Sequence, residues 1–137
     1  MAYWLLKSEP DVYSWENLVK DKKAVWDGVN NNAALKYMRS MEKGDLAIIY
    51  HTGDEKQCVG IAEIVTTAYP DPKLDEERRL VFDIKPKTKL KNPVGIADIK
   101  ADPIFSDFMF VKIGRLSVVP VEDKHWKKIM SLSEGKK

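Results

Sequence analysis

The chain has one cysteine, Cys58, in 137 residues. No internal disulfide can form, which excludes a small secreted scaffold held by crosslinks and fits a reducing compartment. Histidine is nearly as scarce. His51 and His125 lie far apart without paired spacing, so no zinc pattern can be drawn and no metal is expected. Neither sign of charge dominates: 23 lysines and arginines face 21 acids, for a net charge of +2. A protein that coats DNA through many phosphate contacts needs a larger excess. A module that makes a few phosphate contacts around a pocket does not. No apolar run approaches the ~20 residues that cross a bilayer, and MAYWLLKSEP lacks the basic start and apolar stretch of a signal peptide. The chain also lacks a P-loop, a dinucleotide fingerprint and a nucleophile elbow. The expectation is an intracellular soluble protein, cytoplasmic or, in a eukaryote, nuclear, with no cofactor and no membrane partner.

What is present suffices for one domain. The sequence is 44% hydrophobic, without repeats or low-complexity tracts. Residues 1–133 read as a single unit and 134–137 as a frayed tail. YWLLK at 3–7 reads as a strand ended by Pro10. Ser14 can cap a short helix over 15–20. AVWDGV enters extended, and the asparagines behind it stand where a helix N-cap belongs. Ala34, Leu35, Met38 and Met41 then form one helical face. LAIIYH at 46–51, a loop at 52–57 and CVGIAEIVTTAY at 58–69 predict a hairpin whose second strand bends at Gly60. A third strand is expected over 79–91, a helical turn over 93–100, a strand at RLSVVPV and an amphipathic helix with Trp126, Ile129 and Met130 on one side. This is an α+β pattern: a small, mostly antiparallel barrel with short peripheral helices.

Four polar clusters stand beside aromatics at element ends: Lys7-Ser8-Glu9, the bend Trp26-Asp27-Gly28 with Asn30 and Asn31, Tyr50-His51, and Arg115 with Ser117. The indole offers a face for a flat ligand, and amide side chains match the edge of a base. Taken singly, each cluster is more often turn, cap or strand-end chemistry. Lys85, Lys87, Lys89 and Lys91 alternate along one strand and share a face. They read equally as a stripe that tracks phosphates and as a solvated edge. A triad drawn from Ser8 or Ser117 with His51 and Asp27 rests on separate segments and is weak. Cys58 reads as a small core residue.

YWLLKSEP, VWDGV, GDLAIIYH, VGIAEIV, AYPDP and RLSVVPV occur in this order over nearly the whole chain. The run resembles the EVE-domain family, which includes the thymocyte nuclear proteins and bacterial relatives. The resemblance implies a PUA-like mixed barrel related to the YTH domain. It also implies a non-catalytic module that binds a nucleic-acid base, with modified cytosine in DNA or methylated adenine in RNA as the favoured ligands. The family's pocket positions fall on Lys7, Ser8 and Glu9, on Trp26, Asp27, Gly28 and Val29, on Tyr50 and His51, and on Arg115, Leu116 and Ser117. Trp26 would wall the base, while Ser8, Asn30 and Asn31 would read its edge. Lys7, Arg115 and the lysine stripe would hold the backbone. Relatives often carry arginine where Asn30 stands, so a donor fork is missing there. The alternatives from other classes are a nucleoside or metabolite sensor, an enzyme acting on a modified base through His51 and Asp27, and a protein-interaction domain.

Overall fold

The structure is a computed structural model and describes residues 1–135. Its centre is a curled, open sheet. The strands are β1 (Tyr3–Ser8), β2 (Ala24–Trp26), β3 (Leu46–His51), β4 (Gln57–Ile64), β5 (Tyr69–Pro70), β6 (Leu80–Gly95) and β7 (Val118–Val121). They lie in the order β2-β6-β4-β3-β1-β7, with β5 on β6. β1 and β3 pair in parallel, and the other ladders are antiparallel. The sheet is therefore mixed and forms a half-barrel. The parallel pair places the ends of β1 and β3 together, with Lys7 beside Tyr50 and Ser8 beside His51.

The expected helices form around it. Helix α1 (Trp15–Asp21) starts at Ser14, whose hydroxyl accepts from Asn17 N while Asn17 caps Ser14 in return. Helix α2 (Asn32–Arg39) starts at Asn31, whose Oδ1 accepts from Ala33 N (2.9 Å) and Ala34 N (3.1 Å). Its apolar face, Ala34, Leu35 and Met38, is fully buried. Helix α3 is Ile96–Ala101, α4 is Met109–Lys112 and α5 is Asp123–Ser133. Glu134 and Gly135 are hydrogen-bonded to the last turn of α5. The rest of the expected tail, residues 136 and 137, lies outside the described residues. Among the described residues no helix is long and apolar enough to cross a membrane.

Three boundaries differ from the sequence reading. β4 stops at Ile64 instead of reaching Tyr69, which joins a separate two-residue strand. β6 runs on through Pro93 to Gly95, so α3 begins three residues later than expected. Proline survives there because the register jumps: Gly60 pairs with Lys89, but Cys58 pairs with Val94. A bulge removes the demand for a ladder N–H. Finally, the strand expected at RLSVVPV is confined to Val118–Val121, and the apolar stretch before it holds the short helix α4, MFVK, preceded by a 3-10 turn at Pro103–Phe105. Four residues are too few to display a helical period.

Gly60 marks a bulge, as its place in the sequence suggested, and it does more. A Cβ there would lie 2.6 Å from the Trp15 ring. Trp15 is buried, and its N–H donates to His51 Nε2 at 3.0 Å. The start of α1 is thus seated on bare backbone. Gly60→Ala is expected to lower stability by about 1–3 kcal/mol through overpacking, read as a lower urea midpoint with an unchanged m-value.

Candidate functional site

A cleft of about 650 Å³ opens where the end of β1 meets the bend after β2. One stretch of its lining is Lys7, Ser8, Glu9, Val12 and Tyr13, the other is Ala24 to Val29, and Ser117 lines it too. Of the residues expected from the sequence, Lys7, Ser8, Glu9, Trp26, Asp27, Gly28, Val29 and Ser117 line this one cleft.

The first wall is rigid. Val12 N and Tyr13 N both donate to Glu9 O (2.9 and 2.8 Å), and Ser8 Oγ donates to Tyr13 O. Tyr13 Oη donates to Asp21 at 2.8 Å, and burial together with this bond pushes its pKa up to about 12. The phenol therefore stays neutral in ordinary buffers. Lys7 Nζ donates to Gly114 O at 2.8 Å and lies 5.1 Å from the Phe110 ring centre. Burial lowers its pKa. Two ammonium protons remain for a ligand.

The second wall hangs on β6, with Trp26 paired to Phe82. Gly28 takes φ +76°, a conformation that turns the chain out of the strand at little cost. The bend is then fixed from afar. Arg79 Nε donates to Val29 O at 3.0 Å. Arg78 donates to Asn30 O (3.2 Å), to Asn32 Oδ1 (2.7 Å) and to Asn30 Oδ1. Nothing local in the sequence announces these contacts, which span 46 to 50 residues.

Part of the polar capacity inside the cleft is unspent. Among the described residues, the carboxylates of Glu9 and Asp27 and the indole N–H of Trp26 have no protein partner. Val12 is 76% exposed and Val25 49%, so both lips are apolar and open to solvent.

The remaining expected residues lie elsewhere. Asn31 spends its side-chain oxygen on the α2 cap, and Asn30 is held by Arg78, so neither reaches the cleft lining as an edge reader. Tyr50 is buried edge-on against Phe110 at 4.9 Å; burial pushes its pKa up to about 12. His51, 3% exposed, accepts from Trp15 N and donates from Nδ1 to Glu55 Oε1 at 2.9 Å. Both ring nitrogens are thus committed, and no triad with Ser8 and Asp27 is assembled. Leu116 is core. Arg115 is exposed beside Gly114, near the perch of Lys7.

The lysine stripe is exposed, but it continues along β6 beyond Ile84, away from the Trp26–Phe82 pair. Lys85 and Lys87 share Glu63 at 3.6 and 3.7 Å. Cys58 is fully buried, with a thiol pKa pushed up to about 12 by burial, in keeping with a core role. Tyr13 was missed by the sequence reading; its place between KSEP and the capping Ser14 was the available signal.

Comparison with known proteins agrees with this architecture. Mouse thymocyte nuclear protein 1 is 29% identical over 96% of this chain and 74% of its own length. The NMR structure of Rpa0253 from Rhodopseudomonas palustris is similar with TM-score 0.93 and 41% identity, covering 100% of this chain and 96% of that one. Human THYN1 protein, solved in complex with 5-methylcytosine-containing DNA, is similar with TM-score 0.88 and 27% identity, covering 98% of each chain. A YTH domain from Zygosaccharomyces rouxii shares the fold at TM-score 0.58 and 17% identity, over 99% of this chain and 88% of that one. The pattern that defines the EVE domain matches residues 2–132, and the chain belongs to the EVE-domain family.

Proposed function

We propose that the cleft holds one modified base of a nucleic-acid strand, with modified cytosine as the favoured ligand, and binds it without transforming it. The observation that carries this reading is the pairing of two aromatic walls, Tyr13 and Trp26, with unspent polar groups in a single cleft of about 650 Å³. A pocket of that size suits a small flat ligand. The relative solved with 5-methylcytosine-containing DNA supports the same ligand class.

Each group then has a task. Trp26 and Tyr13 flank the base, and stacking on an aromatic contributes about 1–3 kcal/mol per base. Asp27 accepts from the exocyclic amine, as a carboxylate does for cytosine N4. The Ser8 hydroxyl has given its proton to Tyr13 O and so presents only lone pairs. Lys7 offers its two free protons to a ring carbonyl. A methyl on the base packs against Ala24, Val25 or Val29 for about 0.8 kcal/mol, roughly fourfold in affinity. Arg115, exposed two residues before the cleft-lining Ser117, meets a backbone phosphate. The stripe from Lys85 to Lys91 contributes less, because it leads away from the cleft and Glu63 neutralises its near end.

Binding should be measured on short oligonucleotides that differ only in 5-methylation of one cytosine, at one stated salt concentration. Trp26→Ala is expected to lose about tenfold or more of the base-dependent affinity, and Asp27→Asn to erode the preference for amine-bearing bases. Parent-like binding by Trp26→Ala would place the ligand elsewhere. Arg79→Met is expected to cost about 1–2 kcal/mol of stability by stranding Val29 O and to speed amide exchange at 27–30. Unchanged exchange there would show that the bend holds itself.

A further inference from the structure

At the far end of the sheet from the cleft, Asp107, Glu122 and His125 bring ligand-type atoms within 4.8 Å of one another. The histidine is the unusual member. It is 1% exposed, with its ring stacked on Phe108 at 4.6 Å and near Phe105 at 5.6 Å. Its Nε2 faces two acceptors, Ile104 O at 3.1 Å and Asp107 Oδ1 at 3.0 Å. Two acceptors fix the proton on Nε2 and leave the lone pair on Nδ1. That Nδ1 is buried and has no hydrogen-bond partner among the described residues. Glu122 Oε2 stands 3.8 Å from it, beyond hydrogen-bond range.

We propose that Glu122 and His125 chelate a divalent transition-metal ion of the zinc class, with Asp107 as the group that orients the imidazole. Metal bonds of about 2.0–2.2 Å to nitrogen and to carboxylate oxygen bridge a separation slightly under the one observed. Glu122 is 65% exposed and free to swing over the remaining distance. Glu122, the extended residue just before α5, and His125, in its first turn, stand three apart in the chain, the Glu-x-x-His spacing that carboxylate metal sites in helical bundles also use. A ligating imidazole characteristically gives its other N–H to a carboxylate or a backbone carbonyl; His125 already does both. Asp107 is outer-shell, not a ligand, because its Oδ2 holds the Lys124 ammonium at 2.6 Å.

Charge supports a cation. Asp107, Glu122 and Asp123 are three acids at this helix start, and the neighbouring Lys124 is already paired with Asp107. The positive end of α5 opposes it, and only two protein residues bind, so solvent fills the remaining positions and affinity is modest. The bound ion would pin the start of α5 to the turn that carries Ile104 and Asp107. A cysteine and histidine count cannot reveal such a site, since one carboxylate replaces the second histidine.

The test is titration of the full chain with zinc chloride, with magnesium chloride as control, followed by calorimetry and by ¹⁵N NMR of the imidazole. One zinc per chain is expected, with the His125 Nδ1 resonance moving and Nε2 keeping its proton. Glu122→Gln, an exposed and fold-neutral change, should weaken zinc binding at least tenfold, and Asp107→Asn should weaken it by about 10- to 100-fold. Equal zinc affinity in parent and Glu122→Gln, or an Nδ1 resonance that ignores zinc, would overturn the proposal.

Discussion

The seat of Trp15 on the backbone of Gly60 is the constraint from which the rest of the site follows. The indole occupies the space where any side chain at position 60 would stand. His51, at the end of β3, fixes the same residue by accepting its backbone N–H. These two contacts set where α1 begins, and so where the preceding turn, Glu9 to Tyr13, must lie. That turn is one wall of the cleft. A strand bulge in the middle of the sheet and a buried histidine therefore act on the ligand site without touching it.

The opposite wall is built on a different logic. The bend from Asp27 to Asn32 has no core of its own beyond Val29. It is held by ladder contact with β6 on one side and by two guanidinium groups from a distant loop on the other. Arg78 and Arg79 are themselves steadied by Glu76 at 3.6 and 3.8 Å. Guanidinium forks suit this task because each carries several donors in a fixed plane. One wall is thus set by packing and turn hydrogen bonds and the other by charged hydrogen bonds, leaving the carboxylates of Glu9 and Asp27 and the indole N–H of Trp26 unspent. Rigid walls with free polar groups bind without first having to break internal contacts.

Much of this was legible in the residues, for identifiable reasons. Hydrophobic period and cap chemistry are local, so Ser14, Asn31 and the face Ala34-Leu35-Met38 could be read directly. The clusters at Lys7-Ser8-Glu9 and Trp26-Asp27-Gly28 were visible as polar groups at element ends, and the fold brings them together. What stayed hidden depends on long-range contact. Nothing in TyrHis at 50–51 says that its side chains turn inward, since the parallel pairing of β3 with β1 decides that. Nothing near Asn30 says that an arginine 48 residues away will claim its amide. Asn30 and Asn31 looked like base-edge readers because amides suit that role; Asn31 is a helix cap and Asn30 is held by Arg78. Proline hid the true length of β6, because a bulge suspends the rule that proline ends a strand.

The central claim is that one modified base sits between Trp26 and Tyr13 with its amine on Asp27. The most direct test is a ¹⁵N-resolved NMR titration of the chain with two short DNAs, identical except for methylation of one cytosine. The account predicts that the Trp26 indole N–H and the Gly28 amide shift with both DNAs, and shift further at equal concentration with the methylated one. Shifts confined to Lys85–Lys91, or identical for the two DNAs, would contradict it.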